Sequence, residues 1–249
     1  MNSHKTTTEM KSAARELLLG KYRTYIGAAL IIDSFILLVS MIASSVLPSD
    51  NLWGNVLNFA ISFVLELIAS VFMLGLIHFT LNICLNRPYK ISNIFYGFTS
   101  HPDKAIISKF LFLIAELVCL LPAGVFFLLY YITENALLMI LVSLLGVIGM
   151  IAAVIIHLSF YFVYYLILDY PDASIKELFI YCGNMMQGQR IKFFYLYASF
   201  LPLYVLGFLS LGIGILFVTP YVNVTIAQFY LDVFHNENEI HTNESFETE

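Results

Sequence analysis

The chain has 249 residues, of which 60% are hydrophobic and only 12% charged, and its mean hydropathy is +0.84. Soluble domains carry about a quarter charged residues, so a soluble fold of this length would have to hide more apolar surface than its core could hold, and a bilayer is the solvent that fits. The formal net charge of −5 reflects an acidic end (Glu237, Glu239, Glu244, Glu247 and Glu249), and no basic run points to nucleic acid, so that class of partner is set aside.

The first two dozen residues, 1–24, are polar and read as a cytoplasmic segment with a short amphipathic helix over 8–19. The apolar stretch at 25–47 is longer than the roughly 7–15 residue core of a signal peptide and reads as a retained span. A hydrocarbon core needs about 20 apolar helical residues. Five further stretches qualify: 53–85, 105–132, 136–168, 191–211 and 213–234. The second and fourth exceed 30 residues. At about 1.5 Å per residue each is longer than the core is thick, and neither holds a Pro or a charged turn. Each reads as one tilted helix that projects into the cytoplasm, with Gly75, Gly146 and Gly149 permitting close packing or a bend.

Between the fourth and fifth stretches, Ser174 and Glu177 stand at capping-box spacing. Ile175, Leu178, Phe179, Cys182 and Met186 then recur at helical spacing. A cytoplasmic amphipathic helix is expected over 173–188, ended near Gly188. The last two spans are joined by Leu209-Ser-Leu-Gly-Ile-Gly214, a tight apolar turn that glycine's backbone freedom permits. Pro122, Pro202 and Pro220 fall inside spans, where each removes a helical hydrogen bond and is expected to kink its helix. Residues 236–249 are polar and acidic, and a disordered cytoplasmic tail is expected there. The fold class is all-α: a polytopic transmembrane helical bundle of about six spans, with a membrane domain over 25–235 and short cytoplasmic amphipathic helices.

The basic residues orient this bundle. Lys5, Lys11, Arg15, Lys21 and Arg23 precede the first span. Arg87, Lys90, Lys104 and Lys109 are assigned to the connection between the second and third, and Lys176, Arg190 and Lys192 to that between the fourth and fifth. These twelve are every Lys and Arg in the chain. The connections near 48–52, 133–135 and 209–214 hold none. The positive-inside rule places the basic segments, and with them both termini, in the cytoplasm.

Certain residues carry a family likeness. They are Ala14-Arg-Glu-Leu-Leu-Leu-Gly20 with Ile26-Gly27-Ala28, then Ile167-Leu-Asp169 with Pro171 and Ile175-Lys176, then Met186, Gly188 and Phe193. The closest correspondence is Leu211-Gly-Ile-Gly-Ile-Leu-Phe-Val-Thr-Pro-Tyr221, followed by Phe229-Tyr230 and Asp232. Together they resemble the bacterial membrane family known as domain of unknown function 975. The family's pattern has a Pro-Gly where this chain has Ala152-Ala153. The resemblance implies an integral protein of the bacterial cell membrane, mainly of Gram-positive bacteria, and implies no activity.

Ionisable groups inside a bilayer cost roughly 2.5–3.5 kcal/mol for an Asp on insertion scales. Asp33, Glu66 and Glu116 fall near mid-depth in the first three spans, and no Lys or Arg is expected at a span centre to pair with them. Convergence of the three would mark a proton or cation site, as in transporters. The plainer reading is separate acids, each hydrogen-bonded to a neighbouring helix. His78 and His157 are weaker candidates, since a lone histidine in a span usually packs. Arg190 and Lys192 stand where anionic headgroups lie.

Cys84, Cys119 and Cys182 lack any CxxC or Cys/His spacing and read as structural thiols, so neither a metal site nor a cofactor is expected. No nucleophile elbow, zinc-protease, phosphate-loop or dinucleotide signature occurs, and no enzymatic activity is expected. The expected function is that of a structural or accessory envelope protein that binds membrane lipids, a membrane-protein partner or a second copy of itself. The alternative is a small proton- or cation-coupled transporter or channel that uses the buried carboxylates.

Overall fold

The computed structural model describes residues 5–46 and 52–247; the connection at 47–51 and the side chains at 43, 44, 46, 52 and from 235 onward lie outside the described residues. Helices account for the secondary structure described, with no strand among the described residues. Six helical stretches are long and apolar enough to cross a bilayer: Tyr22–Ile42, Trp53–Cys84, Pro102–Thr133, Ala136–Asp169, Arg190–Leu209 and Ile213–Phe234. They match the six sequence stretches to within a few residues. The chain is an all-α, multi-pass membrane protein.

The first helix, α1 (Thr7–Leu18), starts on a capping box that the sequence reading missed. The Thr6 N–H donates to the Glu9 carboxylate at 2.7 Å, and the Glu9 N–H donates to the Thr6 hydroxyl at 3.3 Å. Met10, Ala14 and Leu18 recur every fourth residue, so one face of α1 is fully buried. Gly20, at φ 76°, turns the chain into α2 (Tyr22–Val46).

The long helix α3 (Leu52–Cys84) is followed by a 3₁₀ turn, Ile91–Phe95, and the short α4 (Tyr96–Thr99). This connection folds back onto α3 through two glycines. A Cβ at Gly75 would overlap the Ile94 carbonyl, and one at Gly97 would overlap the Val71 carbonyl. Next comes α5 (Pro102–Thr133), with Pro at its start, where a missing N–H costs nothing. The side chain of Asn135 caps α6 (Ala136–Phe160) by accepting the Leu137 N–H at 3.0 Å. Gly149 lets α5 and α6 touch, since a Cβ there would overlap the Cys119 carbonyl, whereas Gly146 faces open space.

The fourth stretch is not one helix. It breaks at Tyr161–Phe162 and resumes as α7 (Val163–Asp169). No Pro or Gly marks the break. Instead the Phe162 ring is fully buried among Phe193, Phe229 and Tyr230, so tertiary packing dictates the local backbone. The expected amphipathic helix is α8 (Ile175–Met185), with the Ser174–Glu177 capping box formed and Gly188 beyond it at φ 80°.

The fifth stretch divides too, into α9 (Arg190–Ala198) and α10 (Leu201–Leu209). Pro202 therefore sits in the first turn of a new helix rather than inside an old one. Pro122 and Pro220 do lie within α5 and α11 (Ile213–Glu247). The turn between α10 and α11 has Leu211 and Gly212 at positive φ, and a Cβ on Gly214 would come within 2.7 Å of the Gly207 Cα, so the two helices meet closely. Helical backbone continues to Glu247 through the segment where a disordered tail was expected.

Buried side chains gather toward one end of the bundle. Tyr25, Phe79, Phe162, Phe193, Phe229 and Tyr230 are fully buried, and Tyr25 shares a 2.9 Å hydrogen bond with Thr80. Toward the other end the spans expose Phe59, Leu128, Ile132, Ile140 and Phe208. That division suits helices whose far halves face hydrocarbon, where apolar side chains gain nothing by packing against one another rather than against lipid.

The packed end is also the basic end. Lys5 donates its backbone N–H to Asp232 at 3.0 Å, Lys11 donates to Ser199 at 2.7 Å, and Arg15 donates to the Tyr221 hydroxyl at 3.2 Å. Lys21 lies 5.6 Å from the Tyr89 ring centroid. Lys104 donates to the Pro171 carbonyl and, at 2.7 Å, to that of Ala173. The N-terminal segment thus touches the C-terminal helix and the 85–101 connection, and residues just beyond that connection reach the 170–174 connection.

Candidate functional site

Three stripes of one-turn and two-turn neighbours face a common space. From α3 come Glu66, Ser70 and Met73; from α5, Lys109, Phe112 and Glu116; from α6, the break after it and α7, His157, Tyr161 and Tyr164 in turn. All but Glu116 line a cavity of about 190 Å³. Glu116 reaches its edge through His157.

One ion pair and one carboxylate–imidazole contact tie the helices across this space. The Lys109 ammonium on α5 is 2.7 Å from the Glu66 carboxylate on α3. His157 Nε2 on α6 is 2.5 Å from the Glu116 carboxylate on α5. The imidazole also stacks on Phe112, with centroids 5.2 Å apart and planes at 12°. Glu66 is 55% exposed and His157 47% exposed, so neither pair is sealed in the core. The arrangement can hold polar groups of either sign in contact with the cavity, and it joins three spans electrostatically.

The expected absence of a nearby base is thereby corrected. Lys109 was assigned to a connection, yet α5 begins at Pro102 and carries it two turns into the helix. The three acids do not share one site. Glu66 and Glu116 flank the cavity, while Asp33 on the exposed face of α2 is not among its lining residues. Among the described residues no three His, Cys, Asp or Glu side chains cluster as metal ligands would.

His78 stands apart from His157. It stacks on Tyr96, with centroids 3.9 Å apart and planes at 15°, and its Nε2 lies 3.4 Å from the Asn82 amide nitrogen. Its Nδ1 is buried without a hydrogen-bond partner among the described residues. Lys192 is held inward, 3.9 Å from the Asp232 carboxylate and 5.8 Å from the Phe229 centroid. Arg190 is exposed at the start of α9, between two hollows. The three cysteines are free thiols.

Residues 1–237 match the family described as Protein of unknown function (DUF975). No curated protein and no solved structure matches the chain.

Proposed function

This chain belongs to that family of unknown function, and from that premise we propose that it is a non-catalytic accessory protein of the bacterial cell membrane, binding lipid or a membrane partner through its basic end, which faces the cytoplasm. One observation carries this reading. All three basic segments and both amphipathic helices belong to the connections and helix ends that meet at the packed end, tied by Lys5–Asp232, Lys11–Ser199 and Lys104–Ala173. Cationic side chains beside amphipathic helices attract anionic lipid headgroups and acidic partner surfaces.

Co-purification tests it. Extraction from native membranes, with crosslinking before solubilisation, is expected to recover the full chain with a stoichiometric partner or with anionic lipid enriched over the bulk membrane. Recovery of neither would overturn the reading.

The cavity between α3, α5 and α6 favours a second reading, a small proton- or cation-coupled transporter. Its support is two carboxylates, each held by a base, around one accessible space. Proteoliposome flux that is present in the wild type and lost in Glu66→Gln or Glu116→Gln would favour it. No flux in the wild type would remove it.

A further inference from the structure

The side chains around Arg190 are arranged as an amphiphile needs them. On one side runs an apolar groove of about 460 Å³ between α6 and α9, walled by Met150, Val154 and Leu158 and by Ile191 and Phe194. Met150, Val154 and Leu158 are spaced by four residues, so this wall is a straight stripe about 12 Å long. Arg190 is the one polar residue along it. On the other side lies a hollow of about 550 Å³ with Asn184, Gln187 and Gly188 at its rim and Phe160 and Phe179 behind them. Arg190 lines this hollow too, so the guanidinium marks the boundary between apolar and polar surroundings. No acidic side chain lines either space.

Neighbouring cations are already committed: Lys192 to Asp232, Lys104 to backbone carbonyls, Lys109 to Glu66. Arg190 forms no ion pair with a described residue, and α9 begins at it, so the positive end of that helix lies at the same place. A guanidinium fork matches a phosphate with two parallel hydrogen bonds. The side-chain amides of Asn184 and Gln187 can both donate to and accept from hydroxyl groups.

We propose that this is a binding site for an anionic glycerophospholipid, with one acyl chain along α6, the phosphate on Arg190 and a hydroxylated headgroup against Asn184 and Gln187. The proposal rests on the lipid-binding reading above and names its ligand class and place. The apolar groove, an Arg190 with no ion pair to a described residue and the absence of acids from the lining distinguish it from the general basic surface.

The test uses the full chain, purified in detergent and titrated with phosphatidylglycerol against phosphatidylethanolamine of the same acyl chains, with bound lipid counted by native mass spectrometry. Wild type is expected to retain phosphatidylglycerol in preference to phosphatidylethanolamine. Arg190→Gln is expected to weaken phosphatidylglycerol binding about tenfold and erase the preference, and Arg190→Lys to restore part of it. Val154→Trp, which fills the groove without touching charge, is expected to weaken both lipids alike, and Lys192→Gln to change little. Wild-type retention in both Arg190→Gln and Val154→Trp would overturn this site while leaving lipid binding elsewhere intact. A wild type that retains neither lipid would overturn the site and count against the reading beneath it.

Discussion

Lys109 on α5 approaches Glu66 on α3 to 2.7 Å, so an acid in one span is matched by a base from the next. Removing the base alone leaves a carboxylate among apolar helices without its counter-ion, which costs more than removing both partners. Lys109→Met is expected to destabilise the protein, and Glu66→Gln added to it to recover part of the loss. Glu66 is half-exposed, so solvent or headgroup screening keeps the coupling on the order of 1 kcal/mol. A double-mutant cycle of thermal melting in detergent measures it. Strictly additive effects would show that the pair contributes nothing.

Gly149 and Gly146 lie one turn apart on α6, yet only Gly149 meets the α5 backbone, at the Cys119 carbonyl. Gly149→Val is expected to push the helices apart at a cost of about 1–3 kcal/mol, as overpacked interiors do. Gly146→Val, with open space around it, is expected to melt near the wild type. Equal losses in the two variants would mean that the α5–α6 contact does not depend on this close approach.

Hydrogen bonds from the Ser174 backbone N–H and hydroxyl hold the Glu177 carboxyl below its ordinary value of 4.5. A folded-state value below the unfolded one stabilises the ionised, capped helix above pH 4.5, and the contribution is lost as pH falls through the lowered value. Glu9 at the start of α1 behaves alike, through Thr6. Protection of the α8 amides, the intrinsic exchange rate divided by the observed rate at the same pH, is therefore expected to fall on acidification below pH 4.5, and the Ser174→Ala variant to show lower protection already at neutral pH with a flatter acid response. An unchanged acid response in Ser174→Ala would detach the pH effect from the capping box.

The spans were legible because hydropathy over about 20 residues leaves little choice of solvent, and α8 because Ser174 and Glu177 announce its start. The Thr6–Glu9 box carried the same signal and could have been read the same way. The breaks at Tyr161–Phe162 and Ser199–Phe200 were not legible, since both depend on aromatic packing between residues distant in the chain. Pro202 signalled a disturbance without saying that a helix begins there. At the candidate site the residue types were readable but their faces were not. Glu116 and His157 are 41 positions apart, and only the α5–α6 contact brings them together. Lys109 lies inside the apolar stretch at 105–132, near its N-terminal end, and only the packing of α5 against α3 shows that it faces Glu66.

The polarity of the bundle is tested most directly by cysteine labelling from opposite sides of the membrane. Glu134 lies in the connection between α5 and α6, which holds no Lys or Arg, and Asp172 in the connection leading into α8. The native thiols are buried or lie inside a span. An impermeant maleimide added to intact cells is expected to label Glu134→Cys, and to reach Asp172→Cys only after the membrane is opened. Labelling of Asp172→Cys in intact cells, or of both positions from one side, would invert or dissolve the arrangement on which the lipid-binding reading stands.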